Sequence, residues 1–528
     1  MISERIPARV DGTTERRSVV LVARGDQWLA LLPAALLAAA AVTALILTGF
    51  DGLYGQDSFA YFHYATGALR QHIAHLEGLP SFFWPPGYPL LVAAASSVVG
   101  VVPAAGQIVS IAAGAAVPAL TFALAKEIVA RPAGPTRTVA EWAFVPLVAA
   151  LIAAVTGQLL QSSLVVMADT LGVAAATMGV WALLRYQRTG AARWLTISAA
   201  AFTWAIITRW IYGLVAIPFA LWALTLLARR HRRVAFLHGA GAVAVSAMIL
   251  GPILAPAVIG VITGGRAPFA GDLQVYAWNP ANAVQRVFTT GDGTLSYSLP
   301  TGLYYALAPG AWWYFGPILG ALIVPGLWVW LRRRTAPVVG LVVAWAAIVL
   351  LFHAGNPWQN PRFVIAALPP LAILAALGYG QLRTASDVRI RRASTVCLVA
   401  GLALAALGGA VLTDRFIARK QDDVATVHWT ERLAAPKSQL LTFGLTATFQ
   451  QYGALDTVDL SEVDASTMHR LLFDGRPTIV LVDLAGIEGQ WKGQAPWTNY
   501  RALHDGPGLV SLGTRGPYTL FAVGQPRP

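Results

Sequence analysis

Apolar runs of about 20 residues recur along the chain between residues 28 and 412. That is the length an α-helix needs to cross a bilayer. Because a lipid-embedded backbone must satisfy its polar groups internally, such a pattern admits little besides a helical membrane bundle. Composition agrees: 56% of residues are hydrophobic and 12% charged, against about 25% charged in soluble domains. The first run begins at Trp28 and exceeds the apolar core of a signal peptide, so it reads as a membrane helix rather than a cleaved leader.

A net charge of +13 would suggest a nucleic-acid ligand in a soluble protein. Here the cations fall in short loops between apolar spans. They are Arg5, Arg9, Arg16, Arg17 and Arg24; Lys126, Arg131 and Arg137; Arg185, Arg188 and Arg193; Arg229, Arg230, Arg232 and Arg233; Arg332, Arg333 and Arg334; and Arg383, Arg389, Arg391 and Arg392. This is the positive-inside pattern. The arginines orient the chain, and nucleic acid is excluded as a partner. The single cysteine, Cys397, lies in an apolar span; it forms no internal disulfide and reads as packing. No Cys/His spacing suggests structural zinc.

If every basic group is cytoplasmic, each interval between them holds an even number of crossings. Three apolar stretches, 28–49, 88–102 and 106–125, precede Lys126. The middle one is short and bracketed by Pro89 and Pro103, so it reads as a re-entrant or interfacial helix. The remaining spans are 142–158, 169–185, two within 194–228, 235–262, 311–331, 337–353, 363–380 and 394–412. The expectation is a polytopic α-helical protein with about eleven transmembrane helices. Residues 1–27 are cytoplasmic, and the outer loops are 50–105, 159–168, 263–310 and 354–361. The membrane domain, 28–413, precedes a small extracytoplasmic α/β domain, 414–528. That tail has β-like runs at 439–443, 478–482 and 519–523, and Ser461 with Asp464 resembles a capping box. Its Phe443-Gly444-Leu445-Thr446 is the nearest approach to a phosphate loop.

Asp57 follows the first span, in Gly55-Gln56-Asp57-Ser58-Phe59-Ala60-Tyr61. From there Phe59, Phe62, Thr66, Leu69, Ile73 and Leu76 recur at helical spacing, which predicts an amphipathic helix lying in the membrane interface. Asp57 is then a general base facing the outer surface, or the N-cap of that helix. Asp169 stands at the edge of another apolar span, where an ionisable group calls for a functional account; it too is an alternative N-cap. Neither belongs to an Asp-x-Asp pair. Arg209 and Arg362 lie on the outer side, against the positive-inside trend. An arginine fork suits a phosphate; the alternative is snorkelling to headgroups. Arg266 and Arg286, in the long outer loop, are further candidates. Tyr61 and His63 lie close to Asp57 in sequence, although aromatics at an interface are commonly belt residues. His353 reads as a capping or packing residue.

Several of these segments share one family pattern. Gln56-Asp57-Ser58-Phe59-Ala60-Tyr61 resembles the first-loop acidic segment of the protein mannosyltransferase/aminoarabinose transferase group of GT-C glycosyltransferases, with Ser58 where a second acid is common. Trp84-Pro85-Pro86-Gly87-Tyr88-Pro89-Leu90 is similar to that group's Pro-Pro-x-Tyr-Pro turn, and Ala168-Asp169-Thr170-Leu171 to its second-loop acid. The stretch from Asn360-Pro361-Arg362-Phe363 to Pro370 is similar to its late arginine-aromatic segment. The resemblance covers residues 25–415. It implies an integral protein of the cell membrane with an extracytoplasmic active site, and inverting transfer of a sugar from a polyprenyl-phosphate-linked donor. The acceptor hydroxyl belongs to a glycan, lipid or protein. Asp57 and Asp169 become the catalytic residues; Arg209, Arg362, Tyr61, His63 and Tyr88 become substrate contacts. No cofactor is required, and a divalent cation is compatible with the acids. A transporter or flippase of lipid-linked sugars and a non-catalytic envelope-assembly protein are the competing readings.

Overall fold

The computed structural model describes residues 12–130, 142–262, 277–332, 337–473 and 475–524. Arg5, Arg9, Arg131, Arg137, Arg266, Arg333 and Arg334 lie outside the described residues. Seven helices among those described are long and apolar enough to cross a membrane. There are eight if Val145–Ala154 and Gly157–Leu164, bent by 56°, form one broken span. The helices Asp169–Thr189 and Ala192–Thr208 and the stretch Gly316–Arg332 are shorter or less apolar. Length and composition alone thus establish fewer crossings than the basic loops imply. The helices Val145–Ala154, Ile323–Arg332, Pro337–Ala354 and Val388–Leu433 pack around the buried helix Leu368–Arg383. At the bend the chain passes close to the long helix Val388–Leu433, so residue 157 must be glycine: a Cβ there would stand 2.5 Å from Gly409 Cα.

Gly87–Val99 has 13 residues and rises about 20 Å, too short for a hydrocarbon core of about 30 Å. The expected interfacial helix is built in three pieces. An α-helix, Gln56–Tyr64, passes into a π-turn, Ala65–Leu69, and then into Arg70–Ala74. The π-turn inserts a residue and rotates the last piece by about 100°. The predicted apolar face is therefore buried at Phe59, Phe62 and Leu69 but exposed at Ile73; Leu76 is exposed in the turn beyond the last piece, with φ 57°. Cys397, expected to pack, is exposed on its helix.

The segment before Gly316 carries a hairpin of β1 (Val287–Thr290) and β2 (Gly293–Ser296). The domain boundary expected at residue 414 falls inside a helix. Asp387 caps Val388–Leu433 through a bond from Arg389 N, and the α/β domain's sheet begins only at Gln439. That sheet comprises β3 (Gln439–Thr442), β4 (Asp456–Asp459), β5 (Thr478–Asp483), β6 (Leu509–Arg515) and β7 (Tyr518–Val523), in the order β4-β3-β5-β7-β6. The first three are parallel; β7 pairs antiparallel with β5 and β6. The helix Ala465–Phe473 is capped by Asp464 itself, which accepts from Thr467 N at 2.7 Å. Ser461 instead donates to Asp459.

Candidate active site

Asp57 lies in the first turn of Gln56–Tyr64, whose N-cap is Gly55 with φ 72°. Asp169 opens the helix Asp169–Thr189. Neither carboxylate caps its helix; both spend their charge on arginine. Arg362 donates through Nη2 to Asp57 Oδ2 at 2.7 Å. Its Nε lies 3.4 Å from Asp169 Oδ2. Arg209 Nη2 donates to Asp169 Oδ1 at 2.5 Å. The result is a continuous row, Asp57–Arg362–Asp169–Arg209. The Asp169 side chain is 6% exposed, both arginines 18% and Asp57 29%. These arginines point inward at acids rather than snorkelling.

Each charge is held by its backbone setting. Arg209 occupies the extended break between Ala192–Thr208 and Ile211–Ala228. The Pro-Pro-Gly turn packs on that break: a Cβ on Gly87 would meet Ile207 O and Thr208 Oγ1 at 2.7 Å. Arg362 sits in the 3₁₀ turn Pro361–Ala367, capped by the Asn360 side chain. Its Nη1 lies 2.9 Å from Met167 Sδ, and its guanidinium carbon 5.6 Å from the centre of the Phe363 ring.

The aromatic candidates separate. Tyr61, one turn beyond Asp57, is 1% exposed and stacks on Trp84 at 5.0 Å; its hydroxyl has no hydrogen-bond partner. Burial pushes that hydroxyl's pKa up, against the neighbouring arginines. Tyr88 is fully buried, and its hydroxyl bonds Gly106 O at 3.0 Å and Ser110 Oγ at 2.8 Å. It is a support, since Thr170 Oγ1, beside Asp169, donates to Ser110 O. His63 is exposed on another side of its helix, because six residues turn a helix by about 600°. Arg286 is exposed beside β1. His353, read from sequence as packing, does stack on Phe363 at 4.9 Å. It also lines a cavity of about 40 Å³ with Asp169, Arg209, Tyr212 and Arg362, and its Nδ1 is unpartnered.

Among the described residues no group of three His, Cys, Asp or Glu could hold a metal. A divalent ion bridging Asp57 and Asp169 would have to displace Arg362. The row matches two carboxylates with two guanidiniums; Arg209 Nε and Arg362 Nε are buried without a hydrogen bond, the latter facing Asp169 at 3.4 Å.

Burial raises the Asp57 pKa, but Arg362 and then Arg209 outweigh it and hold the carboxyl below its usual 3.8. The pairing free energy is present above that value and is lost as pH falls through the lower, folded pKa. If ionised Asp57 is required, the acid limb of kcat/KM lies below pH 3.8. Arg362→Gln removes the leading opposing charge, so burial then raises the limb; a pH profile in which the limb stays put would show that Arg362 does not set this charge.

No protein-family model matches the sequence, and no curated protein matches it. Solved structures do. ArnT from Cupriavidus metallidurans bound to undecaprenyl phosphate is 14% identical with a TM-score of 0.58, over 92% of this chain and 97% of that one. The oligosaccharyltransferase of Archaeoglobus fulgidus, in complex with zinc and sulfate, is 14% identical with a TM-score of 0.54, over 94% and 73%. At this identity the likeness is one of fold: the chain is an integral membrane protein with the GT-C fold.

Proposed function

We propose that the protein transfers a sugar from a polyprenyl-phosphate-linked donor to an acceptor hydroxyl, with inversion, on the outer side of the cell membrane. The observation that carries this reading is the row Asp57–Arg362–Asp169–Arg209. It places two cations beside a carboxylate that is partly open. The acceptor oxygen attacks the anomeric carbon as Asp57 takes its proton. The bond from that carbon to the phosphate oxygen breaks, and Arg209 and Arg362 receive the charge that develops on the phosphate. Asp169 orients both arginines. Arg362 also links the two events. While it pairs with Asp57 it keeps that acid a weak base; a phosphate that draws the guanidinium away raises the proton affinity of Asp57.

The prenyl chain has a place to lie. An apolar groove of about 720 Å³ runs between Ala192–Thr208, Ile211–Ala228 and Arg232–Ile262. Ile206 lines it one turn before Arg209. The undecaprenyl phosphate bound to ArnT supports a polyprenyl partner for this fold.

The test is transfer by purified protein, in detergent, from undecaprenyl-phosphate-linked sugars to a mixed glycan and lipid acceptor pool. The product should carry the inverted anomeric linkage. Translocation of the donor across proteoliposomes without transfer would replace this reading with the flippase. The orientation has its own check, a cysteine at Thr498 in a Cys397→Ser background. An impermeant reagent should label it on intact cells; labelling only after lysis would put the α/β domain inside.

A further inference from the structure

We propose that the α/β domain positions the reacting acids through a latch of Tyr452, Lys420 and Asp51. The kinetic part of this inference rests on the transferase reading above. Asp51 lies in the loop between the first span and the helix bearing Asp57. Tyr452 ends the helix Thr446–Tyr452 of the α/β domain. Its hydroxyl donates to Asp51 Oδ2 at 2.5 Å and accepts from Lys420 Nζ at 2.8 Å. Lys420, on Val388–Leu433, also pairs directly with Asp51 Oδ1. The lysine side chain is 9% exposed and its ammonium stands over the rings of Phe50 and Tyr452. A cation so buried holds its partner tightly, because losing the partner leaves an uncompensated charge.

The loop being held needs such ties. Gly49, Gly52 and Gly55 all have positive φ, at 64°, 85° and 72°, and glycine has little preference among backbone conformations. Within the loop, Leu53 N donates to Asp51 Oδ1, and Tyr54 N donates to Ser58 Oγ on the Asp57 helix. The ring of Tyr452 meets Phe59, on that helix, edge to face at 6.2 Å.

The same loop reaches the second acid. Gly52 O accepts from Val166 N at 3.0 Å, three residues before Asp169. Gln107 donates to both Phe50 O and Leu164 O at 3.1 Å. Asp57 and Asp169 therefore hang from one loop, and among these ties the Tyr452 contacts alone come from the α/β domain. Arg209 and Arg362 stand on other segments. Because they pair with these acids, the latch should act on the acids first and on phosphate binding more weakly.

The experiment uses the full-length protein in detergent, with three readouts: amide hydrogen exchange, kcat, and the Kd for undecaprenyl phosphate. Tyr452→Phe keeps the ring and removes the hydroxyl. Exchange over residues 49–64 should rise about tenfold. Misplacement of a reacting group by about 1 Å costs on the order of 100-fold, so kcat should fall between tenfold and 100-fold. The Kd should change less than kcat does, and the melting temperature should stay within a few degrees. Asp51→Asn, which keeps the shape of the side chain, should give the same rise in exchange and fall in kcat, with a lower melting temperature because Lys420 loses its counter-charge. Arg501→Gln, which breaks an exposed pair in the same domain, should change nothing. Unaltered exchange over 49–64 in Tyr452→Phe overturns the latch, as does equal loosening by Arg501→Gln. Loosened exchange with unchanged kcat overturns its positioning role. If the wild-type protein transfers no sugar, the transferase reading fails, while the exchange arm still decides the latch.

Discussion

Asp57→Asn should lower kcat by about 100- to 10,000-fold, the usual worth of a positioned general base, in protein that folds normally. Asparagine keeps the size of the side chain and still accepts the 2.7 Å bond from Arg362. It cannot take a proton. Helix capping offers no competing account, because Gly55 occupies the cap and the Asp57 side chain makes no capping bond. The remaining structural role is neutralising Arg362. That role predicts a different outcome: loss of charge would change donor affinity and leave the chemical step alone. Single-turnover transfer with saturating donor separates the two. A chemical rate close to wild type would make Asp57 a counter-ion and move the base to Asp169. Asp169 is the weaker candidate on geometry, since it contacts both arginines and its side chain is 6% exposed, leaving little room for an acceptor.

The four charges were readable one by one, and for a physical reason. An ionisable group at the edge of an apolar span has no inexpensive explanation, so Asp57, Asp169, Arg209 and Arg362 stand out. Their pairing was not readable. They come from four distant segments, and periodicity carries no information about contacts between segments. Neighbourhood in sequence also misled: His63 follows Asp57 closely but faces elsewhere on the helix. Tyr88 belongs to a conspicuous motif, yet its hydroxyl is consumed by Ser110 and Gly106. A lone histidine gives no signal of its own, so His353 was placed in packing although it also lines the cavity. The π-turn has no propensity signature, and it turns Ile73 off the buried face, while Leu76 falls in the turn past the helix. In the α/β domain the inner strands β3, β5 and β7 carry apolar runs. The edge strand β4 is polar and half-exposed, and β6 breaks its short apolar start with Ser511 and Gly513 and is largely exposed, so neither leaves a comparable trace. The domain boundary was set at the drop in hydropathy near Asp414. The helix continues past it because its polar stretch to Leu433 packs against the α/β domain, with Val427 in that domain's core.

Arg362→Ala should be the most damaging change to donor binding, ahead of Arg209→Ala. Arg362 alone contacts both acids. Its removal leaves Asp57 and Asp169 to share the charge of Arg209, which reaches only Asp169. Stranding a largely buried carboxylate costs on the order of 3 kcal/mol, and protonation of Asp57 relieves part of that cost. The variant should therefore lose both a phosphate donor and the ionised base. The Kd for undecaprenyl phosphate should rise at least tenfold. The acid limb of whatever activity remains should move upward. Arg362→Lys restores a charge without the planar fork. It cannot hold Asp57, Asp169 and a phosphate at once, so it should recover folding stability more fully than donor affinity. Recovery of affinity by lysine would mean that the site reads charge alone. Undiminished affinity in Arg362→Ala would remove the phosphate from this end of the row. The donor would then rest on Arg209 and the orphaned Nδ1 of His353, across the same cavity.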